Sequence, residues 1–177
     1  MRRQVAVMLL VIVPAAGCFA PTAVAAAKYK PCTLLSITDF EITLGGKVEQ
    51  SNEGDVTIPD GPFKGEIMST CNWTVGSRFV TLNVIRGPRT SQERAAGVAS
   101  LRAIQEKLKQ QGWTVERADI PGADCVSTKP PATEPSALPG SSCAKVSNKG
   151  LAVWLSVNGS VTVQQVKALT DRAAARL

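Results

Sequence analysis

The sequence predicts an α+β fold in which a mainly antiparallel sheet packs with a long central helix and a C-terminal helix, and two disulfides close the structure. Three observations predict it. Alternating apolar and polar stretches are joined by short turns, as in hairpins. Two stretches with helical periodicity begin behind Thr-x-x-Glu and Thr-x-x-Gln capping boxes. Four cysteines follow an export leader.

The leader spans residues 1–25 and has a positive start, Arg2 and Arg3, before an uninterrupted apolar run from Val5 to Val13. Spanning a bilayer takes about 20 apolar residues, so this run reads as a signal peptide and not as an anchor. Two cleavages compete. Ala23-Val24-Ala25 offers the small residues that leader peptidase needs, with Pro21 breaking the helix upstream, and yields a soluble chain starting at Ala26. Ala15-Ala16-Gly17-Cys18 has the form of a lipobox in which Cys18 would be lipidated, although Ala15 stands where a larger aliphatic residue is usual. Either product is exported, to the periplasm or the cell exterior, or is held on the membrane by lipid. About 150 residues remain, enough for one core to bury about 70% of the unfolded chain's surface. Residues 26–31 read as a short tether and residues 32–177 as a single domain.

Within that domain, Ser36 caps a short helix with Asp39 three positions on; Ile37, Phe40 and Leu44 share a face and Gly45-Gly46 ends it. Gly61-Pro62 turns the chain into a strand from Lys64 to Trp73. In the next strand, Arg78 to Arg86, Val80, Leu82 and Val84 alternate with Phe79, Thr81, Asn83 and Ile85. The long helix runs from Ser91 to Gln111, capped by Thr90 and Glu93, with Ala95, Val98, Leu101, Ile104 or Gln105, and Leu108 as its stripe. A strand from Trp113 to Ile120 ends at Pro121-Gly122, and a proline-rich loop follows. Strands at Ser142 to Val146 and Leu151 to Val157 are joined by Asn148-Lys149-Gly150. The last helix starts at Val163 behind Thr162 and Gln165 and buries Val163, Val166, Leu169, Ala173 and Leu177. This order suggests two similar halves, without a repeat in the sequence itself.

Once Cys18 is removed or lipidated, Cys32, Cys71, Cys125 and Cys143 remain. Four cysteines allow three connectivities. Sequential pairing is favoured, because Cys125 and Cys143 bracket the proline-rich segment and closing it contributes about 3 kcal/mol in the chain-entropy model. Cys32 with Cys71 would tie the first helix to the sheet. A structural zinc site is disfavoured, since there is no CxxC spacing and no histidine, and no other metal or cofactor is expected.

The run Pro31-Cys32-Thr33-Leu34-Leu35, the helix ending in Leu44-Gly45-Gly46, and Cys71-Asn72-Trp73 resemble a widespread group of bacterial envelope proteins of unknown function, mostly lipoproteins. The resemblance covers most of the mature chain. It implies an extracytoplasmic domain and a bridge between Cys32 and Cys71, and it carries no catalytic residues.

Without histidine, Ser-His-Asp and Cys-His devices are excluded, and oxidised cysteines leave no thiol nucleophile. Glu41, Glu49, Asp60, Glu66 and Glu116 could supply the carboxylate pair of a hydrolase, but their spacing singles out no pair. No glycine-rich phosphate loop is present. Removing the leader lowers the formal charge from +6 to +4, with no lysine or arginine run to suggest nucleic acid. Arg86 and Arg89, with Arg94 one turn on, lie at the positive end of the long helix and form a candidate anion site, against the simpler reading of a solvated basic turn. Trp73 and Trp113 read as core. Trp154 faces away from Val153, Leu155 and Val157; it is core if a helix covers that face and a recognition aromatic if not, and core is the simpler reading.

The expectation is a non-enzymatic exported domain that binds an envelope protein or envelope component, touching membrane only through lipidation of Cys18. One alternative is an inhibitor or immunity protein acting on a secreted enzyme through the proline-rich loop. The other is a carboxylate-dependent hydrolase.

Overall fold

A computed structural model describes residues 28–177, so the expected leader, both expected cleavage sites and Cys18 lie outside the described residues. Ten elements follow in chain order: α1 (Ile37–Leu44), β1 (Val48–Thr57), β2 (Ile67–Val75), β3 (Arg78–Arg86), α2 (Ser91–Gln110), β4 (Thr114–Ile120), β5 (Ala123–Lys129), β6 (Gly140–Val146), β7 (Leu151–Asn158) and α3 (Val163–Arg176). The strands form one seven-stranded sheet in the order β1-β2-β3-β7-β6-β5-β4. Every neighbouring pair is antiparallel. Two up-and-down runs, β1 to β3 and β4 to β7, therefore meet where β3 pairs with β7.

The alternation in β3 and β7 decides which face carries the core. Val80, Leu82 and Val84 pair in register with Val157, Leu155 and Val153, and all six are fully buried. Cys71, Trp73 and Val75 extend the same face on β2. Phe40 and Leu44 of α1 and Val166, Leu169 and Ala173 of α3 close over it. Trp73 is core as expected, with its ring 5.0 Å from that of Phe40.

The start of α1 is tied to the end of α3 by charge. Asp39 accepts from the backbone N–H of Ser36 at 2.7 Å, completing the capping box, while Arg176 donates to both of its carboxylate oxygens. These bonds, that of Arg176 foremost, outweigh the opposing effect of burial and lower the Asp39 pKa from 3.8 to about 2.

Several elements depart from the sequence reading. Residues 28–31 are not a free tether: the N–H groups of Lys28 and Tyr29 donate to Asp55 and Ser69, and Pro31 is buried at the start of a 3-10 turn. β2 begins at Ile67 and not at Lys64, because Gly61 to Glu66 folds into turns. Ile37 is exposed, leaving Phe40 and Leu44 to anchor α1. β1, absent from the sequence reading, is an outer strand of mostly exposed polar residues and so carries no period-two signal. β5 was hidden in the expected proline-rich loop. It pairs with β4 through Pro121-Gly122, and the true loop is only residues 130–139.

Candidate functional site

The sheet face opposite the core is covered in part by α2, and the fit is loose. Val98, Leu101 and Leu108 of its stripe are half-buried, Ala95 and Ile104 are exposed, and no residue of α2 is fully buried. Gln105 occupies the position where the stripe needs an apolar side chain.

What holds α2 is concentrated at its first turn. The Thr90 hydroxyl accepts from the Glu93 N–H at 3.0 Å. The Glu93 carboxylate does not return to the cap residue as a full capping box would. It accepts instead from the Arg89 N–H at 2.7 Å and from two Arg86 nitrogens at 2.9 and 3.0 Å. Arg86 also donates to Glu66 at 2.6 Å and lies over the Phe63 ring, 5.4 Å from its centroid. Gly97 passes close by, where an added Cβ would meet Phe63 at 3.6 Å. The bond from Arg86, followed by that from the Arg89 N–H, holds the Glu93 pKa at about 2, and the two carboxylates raise that of Arg86.

Beyond that clamp, α2 and the sheet enclose a slot of about 150 Å³. Val98, Leu101 and Leu108 line it from the helix, and Val115, Val126 and Trp154 line it from the sheet. Trp154 stands between Asn83 of β3 and Ala144 of β6 and keeps 39% of its surface exposed. Covered in part by a helix yet open to solvent, it is not the buried core residue favoured by the sequence. Arg102 and Gln105 add polar groups from the helix, while Arg117 pairs with Asp124 at 3.0 Å on the strand side.

The other candidate residues fall as follows. Arg86, Arg89 and Arg94 do not form an anion site, because Glu93 already occupies the helix start and, with Glu66, satisfies the Arg86 guanidinium. Arg94 points along the outer side of α2 with Val98 and Arg102. Trp113 is half-buried, not full core, and its buried ring N–H finds no acceptor among the described residues. The disulfides are Cys32–Cys71 and Cys125–Cys143, as expected. The second joins directly paired residues of β5 and β6 and does not close an open loop. Of the carboxylates, Glu66 is held by Arg86, and Glu49 and Glu116 lie on the two outermost strands, β1 and β4. Sequence reasoning missed Val115, Val126 and Ala144. The available signal was the interruption of the α2 stripe at Gln105, which marks a helix that does not seal against its sheet.

No protein family and no curated protein matches the chain. Among solved structures, the chain is similar to the extracellular domain of PknH from Mycobacterium tuberculosis, with a TM-score of 0.54 and 11% identity. The match covers 82% of this chain and 93% of that one, and at this identity the likeness is one of fold.

Proposed function

We propose that this chain is an exported, non-enzymatic binding domain of the bacterial cell envelope, and that its ligand site is the slot between α2 and the sheet. Export is supported by the leader, by two disulfides of the kind that persist in oxidising compartments, and by a fold shared with an extracellular domain. The observation that carries the binding reading is the half-exposed Trp154 in the wall of an apolar slot under a helix that buries no residue of its own. A tightly packed domain closes such space; an apolar concavity with a few polar groups at its border is the usual form of a small-molecule site.

The test uses the full-length gene expressed in an exporting host. Intact mass of the product shows a start at Ala26 or a lipidated Cys18, whereas a chain beginning at Met1 contradicts export. The uncharged probe octanol then binds the purified protein in calorimetry. Trp154→Ala weakens this binding about fivefold or more, and Phe79→Ala, an exposed aromatic outside the slot lining, leaves it unchanged. Equal binding by both variants places the probe elsewhere and rejects the slot.

A further inference from the structure

We infer that the slot selects a single-chain amphiphile with an anionic head group, whose apolar end lies against Trp154 and whose head meets Arg102 and Arg94. This rests on the slot being the ligand site and adds the class of ligand.

Charge and size point to this ligand class. Of the cations near the slot, Arg117 is neutralised by Asp124. The guanidinium groups of Arg102 and Arg94, by contrast, have no hydrogen-bond or ion-pair partner among the described residues. Arg102 and Val98 line both the slot and a shallow groove along the outside of α2, and that groove also contains Ser91 and Arg94. Arg94, Val98 and Arg102 are spaced four apart and form one line on the helix. A molecule leaving the slot past Val98 thus enters a groove lined by both Arg94 and Arg102. Acidic groups on the same helix are committed elsewhere, Glu93 to Arg86 and Glu106 to Lys109. The slot's 150 Å³ is close to that of an apolar cavity able to hold benzene, which is about six carbons. An apolar chain entering it gains about fourfold in affinity per buried methylene. The guanidinium pair then discriminates by charge, because an anion gains hydrogen bonds there and a cation meets repulsion.

Three eight-carbon probes separate the contributions: octanoate, octanol and octyltrimethylammonium, titrated against the mature protein by calorimetry. Octanoate is expected to bind about tenfold tighter than octyltrimethylammonium. In the double variant Arg94→Gln/Arg102→Gln, octanoate weakens about five- to tenfold while octanol stays within about twofold. Both arginines are exposed, so the variant keeps its fold, which circular dichroism verifies. High salt weakens octanoate alone. If the three probes bind alike and the double variant changes none of them, the anionic preference is overturned and the slot stands. If octanol and octanoate fail to bind, or bind Trp154→Ala undiminished, the slot reading fails and the inference fails with it.

Discussion

At the scale of single residues, charge does structural work at two points in this chain. Asp39 joins the start of α1 to the end of α3, and Glu93 joins the start of α2 to β3 through Arg86. Both carboxylates are held near pKa 2, below their ordinary values. Asp39 is the more deeply placed, with only 10% of its side chain exposed. Its folded pKa of about 2 lies below the unfolded 3.8. The stability it contributes is therefore fully present above about pH 4 and is lost as pH falls through about 2. Asp39→Asn should cost about 1–2 kcal/mol at pH 7, a figure reduced from the full linkage value because Arg176 is part-exposed. Urea unfolding at pH 7 and pH 2 checks this: the gap between wild type and variant should narrow at the lower pH. A gap of equal size at both would show that the carboxylate charge is not what Arg176 and Ser36 recognise.

Elements differ in how firmly they are held, and the difference bears on the site. α3 fully buries Val166, Leu169 and Ala173 against the core, whereas α2 buries no residue fully and is tied to β3 by the Glu93–Arg86 bonds at its first turn. Leu169→Ala should cost about 2–5 kcal/mol, and Leu101→Ala less than about 1 kcal/mol. Amide exchange should be faster along the second half of α2 than in α3 by about tenfold or more. Equal costs and equal protection would show that α2 is core, leaving no room for a ligand beneath it. The same difference explains what the sequence could reveal. β3, β7, α1 and α3 were readable because one face of each is buried, and one-sided burial writes a period into the residues. β1 was not readable, since an outer strand with exposed residues such as Asn52, Glu53 and Asp55 needs no alternation. β5 escaped because only Cys125 in it is fully buried. The β5 wall of the slot, with Val126, was hidden with that strand. The rest was in view as the α2 stripe and as the two readings of Trp154, whose choice depended on how closely α2 approaches the sheet.

For the whole molecule, the two sheet faces divide the labour. One face, with α1, α3 and the disulfides, carries the fully buried core. In the chain-entropy model the 39- and 18-residue separations spanned by the disulfides correspond to about 4 and about 3 kcal/mol. The opposite face is left with a lightly seated helix over an apolar slot, and the stable half permits that looseness. Among the described residues no helix is long and apolar enough to cross a membrane. Ligand is proposed to enter between α2 and the sheet. Nuclear magnetic resonance of the isotope-labelled mature protein titrated with octanol tests this directly. Shifts should concentrate on Val98, Leu101, Leu108, Val115, Val126 and the Trp154 indole, while Val80, Leu155 and Leu169 in the core stay unmoved. Shifts gathered on the 130–139 loop, or none at saturating octanol, would contradict it.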